Sequence, residues 1–268
     1  MLPYPEIDPV AVAIGPLKIH WYGLAYLVGI AAGWWLALRR CRNPWSPVRR
    51  EQVDDLVFYV ALGVVLGGRV GYTFLYGGQR LVEDPTWALR LWEGGMSFHG
   101  GFLGVLLAMY LFGRRHGIAF WRLMDFIAPF VPIGLGLGRL GNFIGQELWG
   151  RASDMPWAMV FPADPLQLAR HPSQLYQFAL EGVLMFAVLY WFSAKPRPTC
   201  AVSGVFSLMY GCVRIFAEFF REPDAHIGFQ AFGWLTRGQL LSIPMIIVGL
   251  ALLWVAYGRR PAGLKTDP

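Results

Sequence analysis

Seven long apolar runs are the feature that most restricts what this 268-residue chain can fold into. They cover residues 20–38, 53–76, 97–112, 124–138, 174–193, 203–221 and 239–257. A run of about 20 apolar residues can cross the hydrocarbon core of a bilayer as a helix. The chain is 56% hydrophobic and only 15% charged, whereas a soluble domain carries about 25% charged residues. These features predict an all-α polytopic membrane protein with seven transmembrane helices.

Two of these runs, 97–112 and 124–138, are short for a bilayer core, so their ends are expected to lie in protein rather than lipid. Glycines recur at helical spacing in three runs, where they would let neighbouring helices approach closely. These glycines are Gly67, Gly68, Gly71, Gly100, Gly101, Gly104, Gly134 and Gly138. The sequence shows no separate soluble segment, so residues 1–268 are predicted to form a single membrane domain.

The Lys and Arg residues are divided unevenly between alternate connections, which predicts the orientation. The richer set is Arg39, Arg40, Arg42, Arg49, Arg50, Arg114, Arg115, Arg122, Lys195, Arg197, Arg259, Arg260 and Lys265. The positive-inside rule places these residues in the cytoplasm, with the N-terminus outside and the C-terminus inside. The connections 77–96, 139–173 and 222–238 then form a small extracytoplasmic head.

The chain shows no marks of a cleaved leader, a disulfide framework or a metal site. Its first residues lack a basic segment, so the first helix is expected to serve as its own insertion signal. Cys41, Cys200 and Cys212 have neither metal nor redox spacing and are interpreted as free thiols. No metal ion or other cofactor is expected.

Most of the unusual polar residues in the helices are predicted to share one depth, near the outer leaflet. They are Tyr22, Arg69, His99, Arg139, Asn142, Gln174, Tyr176, Arg214 and Glu218. Residues that only support packing should occur at all depths, whereas residues that build a site should share one. This common depth therefore favours a site at the outer face.

The arginines suggest what that site binds. A charged side chain at mid-membrane costs about 2.5–3.5 kcal/mol on insertion scales. Glu218 is the one clear carboxylate within the predicted spans, and it lies four residues after Arg214, so the two can pair. At least one of Arg69, Arg139 and Arg214 is then expected to lack a protein partner. Because a guanidinium group matches a phosphate with two parallel hydrogen bonds, we expect the partner to be a ligand phosphate.

Each of these residues also has a structural interpretation. Arg214 and Glu218 could form only a buried structural pair, and Arg69, beside two glycines, could tie helices together. Arg139 could cap the carboxyl end of its helix, where a cation is favourable. His99 could be an interfacial histidine without a functional role. The run from Asn142 to Glu147 could be a turn that hydrogen-bonds to itself.

A glycine pattern within the fourth run is rejected as a nucleotide site. Gly136, Gly138 and Gly141 spell G-x-G-x-x-G. A dinucleotide fingerprint needs a strand before it, a helix after it and an acidic residue about 20 positions further on. Here the glycines end a predicted membrane helix, so a dinucleotide site is rejected. Nucleic acid is not an expected partner of this chain.

Several motifs together closely resemble the prolipoprotein diacylglyceryl transferase family, over nearly the whole chain. The motifs are "IGPLKIHWYGLAYLVG", "LGGRVGY", "GGMSFHGG", "GRLGNFIGQELWG", "RHPSQLY", "YGCVRIFAEFFREPD" and "GQLLSIPM". The resemblance implies a seven-helix bacterial inner-membrane enzyme without a cofactor, whose site faces the periplasm. It would transfer the sn-1,2-diacylglyceryl group of phosphatidylglycerol to the lipobox cysteine that follows the signal peptide of a prolipoprotein. The products would be a thioether and glycerol 1-phosphate, in the first step of lipoprotein maturation.

The resemblance also assigns roles to residues. It implies catalytic roles for His99, Arg139, Arg214 and Glu218, and phosphatidylglycerol binding by Tyr22, Arg139, Asn142, Glu147, Gly150 and Tyr210. Arg69, Gln146 and Gln174 remain supporting candidates. In the mechanism, Arg139 would hold the phosphate, Arg214 would support it, and Glu218 would orient Arg214. His99 is the general base that its ordinary pKa favours, although a purely polar contact would also explain it.

One position departs from the family pattern. Gly145 stands where the family usually has a second asparagine. Gln146, the next residue, could supply the missing contact.

Two other classes of protein remain as rivals. One is a transporter or flippase with an anion site, which would usually show broken helices and inverted repeats. The sequence shows neither. The other is a lipid-binding scaffold without catalysis, which would need no base near its phosphate site.

Overall fold

The computed structural model describes residues 2–15, 17–223 and 228–258, and these residues are mainly helical. The predicted cytoplasmic residues Arg259, Arg260 and Lys265, and part of the predicted loop 222–238, lie outside the described residues. The helices are Trp21–Arg40 (α1), Val53–Tyr76 (α2), Gly78–Glu83 (α3), Phe98–His116 (α4), Phe120–Ile127 (α5), Val131–Ile144 (α6), Ser173–Phe192 (α7), Ala201–Glu218 (α8) and Arg237–Gly258 (α9).

Five of the described helices are long and apolar enough to cross a membrane, or six if α5 and α6 form one interrupted span. The prediction of a polytopic membrane protein is therefore confirmed, while the count of seven spans stays a prediction. Helix α4 has 19 residues but does not meet the same criteria, and its last turn is basic.

The predicted helix at 124–138 is wrong in extent. The chain breaks between Ile127 and Val131, and α6 then continues to Ile144. Pro132 explains the new start, because a proline fits the first turn of a helix but not its interior. The expectation that no helix is broken is therefore also wrong. Apolar patterning alone does not show such a break, since the run remains apolar across it.

The described chain divides into two compact units. The second unit, residues 34–126, is built on a close contact between α2 and α4. A side chain at Gly63, Gly67 or Gly71 would meet the backbone of Gly100 or Gly104. The predicted role is therefore confirmed for Gly67, Gly71, Gly100 and Gly104, whereas a Cβ atom on Gly68 would meet Met96, which precedes α4.

The first unit, residues 1–33 and 127–268, contains a similar glycine contact between α6 and α7. A Cβ atom on Gly136 would lie 2.9 Å from the Cα atom of Gly182. Gly134 contacts a different helix, because a Cβ atom on Gly29 of α1 would lie 3.6 Å from the Gly134 Cα atom. The prediction is wrong for Gly138, since among the described residues no heavy atom lies within 4 Å of a Cβ atom built there.

Short strands, which the sequence pattern did not indicate, organise the connections of the first unit. Leu2–Pro3 (β1), Met159–Val160 (β4) and Ala169–Arg170 (β5) form a three-stranded sheet, with β1 parallel to β4 and β4 antiparallel to β5. Val10–Ile14 (β2) pairs with Leu17–His20 (β3), and Phe229–Ala231 (β6) pairs with Leu235–Thr236 (β7).

The start of the chain is tied to the end of α6. Tyr4 is buried against Phe143 and Phe161, and its hydroxyl donates to the carbonyl oxygen of Phe143 at 2.8 Å. The first strand and the loop after α6 are therefore held as one folded layer.

Candidate active site

Three helices of the first unit bring a cluster of buried ionic side chains together. Arg139 of α6 donates from Nε to Oε2 of Glu181 on α7 at 2.8 Å. Arg214 of α8 lies 4.0 Å from Glu181 Oε1 and 2.9 Å from Glu218 Oε2. Arg221, just after α8, lies 3.8 Å from the other oxygen of Glu218. We call these five residues the ionic cluster.

The cluster corrects two expectations. Glu218 is not the only intramembrane carboxylate, because the side chain of Glu181 is 0% exposed within α7. Neither Arg139 nor Arg214 lacks a carboxylate partner, so the prediction of an unpaired guanidinium group is wrong. Sequence reasoning missed Glu181, although a carboxylate inside the apolar run "QFALEGVL" is a signal that could have found it.

A π-helical turn at Phe178–Leu184 surrounds Glu181. Such turns occur often at functional sites, because they reorient one side chain within a helix. Gly182, the next residue, packs on Gly136 of α6. The close approach of α6 and α7 holds the Glu181 carboxylate against Arg139.

Arg139 has hydrogen-bond donors that the described protein does not use. Among the described residues, the hydrogen bond to Glu181 uses only Nε, and no hydrogen bond uses the two terminal Nη atoms. The side chain is 18% exposed. Those Nη groups are the donors that bind a phosphate in a fork. Arg139 and Arg214 both lie against Glu181, so two guanidinium groups share one fully buried carboxylate.

Arg214 and Glu218 of α8 form an ion pair without a hydrogen bond. Arg214 and Glu218 are one helical turn apart and 2.9 Å from each other, yet Arg214 Nη1 and Glu218 Oε2 do not meet hydrogen-bond geometry. Glu218 also faces the first turn of α9, where a Cβ atom on Gly238 would lie 2.5 Å from its Oε1. The glycine leaves room for the carboxylate at a helix N-terminus, where negative charge is stabilised.

The turn after α6 hydrogen-bonds to itself, as one interpretation of the sequence proposed. Asn142 donates from Nδ2 to the Glu147 carboxylate at 3.2 Å, and the Glu147 amide donates to the Asn142 carbonyl at 2.8 Å. Gln174 donates from Nε2 to the Glu147 carbonyl at 2.7 Å. Gln146 and Leu148 both have positive φ angles, 53° and 57°. Such backbone strain occurs preferentially at functional sites.

Gln146 does not occupy the place left by Gly145. Its Oε1 accepts a hydrogen bond from the amide of Ala163 at 2.8 Å, so its side chain supports the outer loop. Gly145 lines an open cleft of about 730 Å³, together with Pro9, Lys18, Ile19, His20, Trp21, Tyr22, Gly23, Gly141, Ile144 and Glu147. A Cβ atom on Gly145 would lie 3.7 Å from the Glu147 side chain, so an asparagine at this position would lie beside Glu147.

Tyr22 lies over α6. Its ring occupies the space that a side chain on Gly141 would fill, and its hydroxyl is 3.3 Å from that of Tyr26. Tyr22 and Glu147 thus line the same cleft. Tyr210 of α8 is close enough to interact electrostatically with Glu181 and Arg214. The phosphatidylglycerol-binding role that the resemblance implies for these two tyrosines stays a prediction.

Gly150 has a packing role in this structure. It is buried, and a Cβ atom there would lie 2.6 Å from the Phe220 carbonyl oxygen and 2.6 Å from the His171 Cβ atom. Its amide donates to the His171 carbonyl at 2.9 Å. An antiparallel bridge also pairs it with Arg221. This glycine ties the loop after α6 to the end of α8.

A buried ion pair holds the connection between α6 and α7. Arg170 donates to both oxygens of Asp164, at 2.6 Å from Nε and 3.2 Å from Nη2, and also to the Gly150 carbonyl at 3.3 Å. The hydrogen bond from Arg170 lowers the pKa of Asp164, more than burial raises it. Burial lowers the pKa of His171, whose ring contacts Tyr176. Sequence reasoning missed this pair because its members lie in a loop without periodicity.

Arg69 and His99 belong to the second unit, and they differ sharply. Arg69 is buried in α2, and its guanidinium group donates to the carbonyl oxygens of Ala88, Trp87, Gly94 and Gly95. It also lies over the Trp87 ring, 4.8 Å from the centroid. His99 is exposed in the first turn of α4, after the N-cap residue Ser97, and its ring contacts that of Phe98.

The described residues contain no group of three or more His, Cys, Asp or Glu side chains suited to a metal ion. Cys41, Cys200 and Cys212 form no disulfide bond within the described part of the chain. The polar residues that converge in the first unit bring arginines and glutamates together within apolar helices.

The fold and this cluster define a multi-pass membrane protein in which arginines and glutamates meet in a buried cluster. A family model described as prolipoprotein diacylglyceryl transferase matches residues 9–255. The chain therefore belongs to the prolipoprotein diacylglyceryl transferase family, and the resemblance inferred from its motifs is confirmed.

Curated relatives cover nearly the whole chain. A protein of Ectopseudomonas mendocina (strain ymp) is 62% identical over 261 residues, which are 97% of this chain and 98% of that protein. A protein of Azotobacter vinelandii is 61% identical, with 97% and 98% covered. One of Pseudomonas entomophila is 60% identical, with 99% and 100% covered. All three are named phosphatidylglycerol–prolipoprotein diacylglyceryl transferase.

Proposed function

We propose that this protein transfers the sn-1,2-diacylglyceryl group of phosphatidylglycerol to the lipobox cysteine of a prolipoprotein, the first step of lipoprotein maturation. Membership of the family and the printed names of the curated relatives support this activity. The observation that carries it within the structure is Arg139, which bonds the buried Glu181 through Nε while its Nη atoms stay uncommitted, and Arg214 lies against the same carboxylate.

The chemistry follows from these charges. The substrate thiolate attacks C3 of the diacylglyceryl group, a sulfur–carbon bond forms, and the bond between C3 and the phosphate oxygen breaks. Glycerol 1-phosphate leaves, and the proton of the thiol passes to a base. Cations on the phosphate oxygens stabilise the charge that the leaving group gains. Arg139 would bind that phosphate through its Nη fork, and Arg214 would supply the second cation.

The carboxylates have a supporting role in this proposal. Glu181 bonds Arg139 and lies near Arg214, so it would hold the two guanidinium groups at a fixed spacing. Glu218 would orient Arg214 from the other side. Asn142 and Glu147 would shape the loop beside the lipid head group, and Tyr22 would line the entrance cleft. His99 remains our candidate for the base that takes the thiol proton.

We also propose the finer topology. Together with α4 and the interrupted pair α5 and α6, the spanning helices would number seven in a bacterial inner membrane. The basic residues at the end of α1 and in the last turn of α4 would lie in the cytoplasm. The N-terminus and the ionic cluster would then face the periplasm. Labelling single cysteines placed at Ser153 and at Lys195 from one side of the membrane tests this orientation.

Mass spectrometry tests the reaction itself. The purified protein is incubated with phosphatidylglycerol and a synthetic lipobox peptide, and with a matched peptide that has serine in place of cysteine. We expect the mass of one diacylglyceryl group to appear on the cysteine peptide alone. Lipid binding without any mass gain would instead support the scaffold, and movement of lipid between leaflets without mass gain would support the flippase. Either result would refute the transferase.

A further inference from the structure

Helix α7 presents a row of buried polar side chains toward the protein interior. Gln174, Gln177 and Glu181 are spaced by three and four residues, so they lie on one face of the helix. The first two are 1% exposed and Glu181 is 0% exposed. Glutamine and glutamate are rarely buried to this extent without partners. We call these three residues the acceptor row.

Each member of the acceptor row has an oxygen that no described protein group reaches. Oε1 of Gln174, Oε1 of Gln177 and Oε1 of Glu181 are all buried and accept no hydrogen bond within the described residues. Gln174 is the firmest case, because its Nε2 donates to the Glu147 carbonyl at 2.7 Å, which fixes the orientation of the amide. Buried polar atoms normally have partners, so three unmet acceptors on one face indicate a ligand that brings donors.

The acceptor row ends at the cations of the ionic cluster. Glu181 Oε2 accepts from Arg139, while Glu181 Oε1 lies 4.0 Å from Arg214 without a hydrogen bond. A ligand that suits both parts needs a phosphate for the arginines and hydrogen-bond donors for the row. The donors must be neutral, because Arg139 and Arg214 lie against Glu181 and like charges disfavour an ammonium group there. Hydroxyl groups next to a phosphate meet these requirements.

We propose that the acceptor row is the subsite that recognises the free hydroxyl groups of a glycerol phosphate head group. This inference rests on the proposed function, and it assigns the choice between phospholipid head groups to Gln174, Gln177 and Glu181. The arginines bind any phosphate, whereas the row distinguishes a glycerol head group from one that lacks hydroxyls. Gln177 is the most specific member, because Gln174 also supports the loop and Glu181 also holds Arg139.

The test measures selectivity rather than activity. The purified full-length protein is titrated with glycerol 1-phosphate, propyl phosphate and inorganic phosphate, and affinities are taken from competition with phosphatidylglycerol. The unmodified protein should prefer glycerol 1-phosphate over propyl phosphate by tenfold or more. In Gln177→Leu, which keeps a similar shape, that ratio should fall below threefold while the affinity for inorganic phosphate is unchanged. Gln52→Leu removes a buried amide of the second unit and is the control, with the ratio unaltered.

The outcomes separate this inference from the function on which it rests. Equal affinity of the unmodified protein for glycerol 1-phosphate and propyl phosphate would overturn the inference, whether or not the variants fold. An unchanged ratio in Gln177→Leu would overturn it as well, as would an equal loss of affinity for all three ligands. If the unmodified protein binds none of the three and transfers no lipid, the proposed function itself fails.

Discussion

Arg69 and Arg139 are both arginines within apolar helices, yet their surroundings differ. Arg69 donates to four backbone carbonyl oxygens and stacks on Trp87. Arg139 makes one hydrogen bond, to Glu181, and no described hydrogen bond uses its Nη atoms. One guanidinium group is fully used by the fold, while the other keeps its forked donors.

The difference shows that an intramembrane arginine does not by itself mark a binding site. Both residues avoid the cost of an unpaired buried charge. The two residues differ in how many guanidinium N–H donors remain without a hydrogen bond to the described protein. We therefore expect changes at Arg139 to affect lipid binding and catalysis, and changes at Arg69 to affect stability.

The largest expected effect is at Arg139. Arg139→Ala should lower diacylglyceryl transfer by about 10²–10³-fold, the usual loss when a donor to a developing negative charge is removed. Arg139→Lys should recover only part of it, because lysine is a point charge without the fork. Transfer is measured by mass spectrometry of the lipobox peptide. Full turnover in Arg139→Ala would remove the phosphate-binding role.

Glu181→Gln should give the next largest effect. It keeps the shape of the side chain but removes the charge that Arg139 and Arg214 share. Breaking a buried ion pair costs about 3–5 kcal/mol. We expect transfer to fall by about 10–100-fold together with a lower melting temperature. If transfer and stability were both unchanged, Glu181 would not be the anchor of the cluster.

Arg69→Met should lower the stability of the protein and leave its transfer activity nearly unchanged. It leaves the carbonyl oxygens of residues such as Ala88 and Gly94 without a donor, and each such loss costs about 1–3 kcal/mol. The melting temperature should therefore drop, while transfer per folded molecule stays within about threefold of the unmodified protein. A loss of transfer at an unchanged melting temperature would place Arg69 in the site and would invalidate the comparison.

The smallest expected effect is on the pH dependence of stability and concerns Asp164, whose carboxylate is paired with Arg170. Its pKa is lowered in the folded state by Arg170, so its contribution to stability is present above the unfolded value near 4 and is lost as the pH falls through the lowered value. Asp164→Asn should flatten the decline of melting temperature between about pH 5 and pH 3. A decline of the same slope in both proteins would show that other groups cause it.

The sequence predicted the membrane character, the family and most of the residues that converge in the first unit. Tyr22, Arg139, Asn142, Glu147, Gln174, Arg214 and Glu218 all lie in that unit. These residues were visible because polar side chains are rare in apolar runs. The extent of α2 was also predicted correctly, because polar residues precede its apolar run and a glycine follows it.

Other features depend on contacts that a linear pattern does not show. Glu181 lies in an apolar stretch of α7, and only the approach of α6 places it against Arg139. The break before Pro132 occurs within a continuous apolar run. Arg69 looks like Arg139 in the sequence, and only the fold of residues 87–95 shows that its donors are used.

The most direct test of the central claim is the amount of phosphatidylglycerol that each purified variant retains, measured by native mass spectrometry. We predict that Arg69→Met retains the lipid as the unmodified protein does, whereas Arg139→Ala loses at least nine-tenths of it. Equal retention by Arg139→Ala and the unmodified protein would contradict the claim that the Arg139 guanidinium group holds the lipid phosphate.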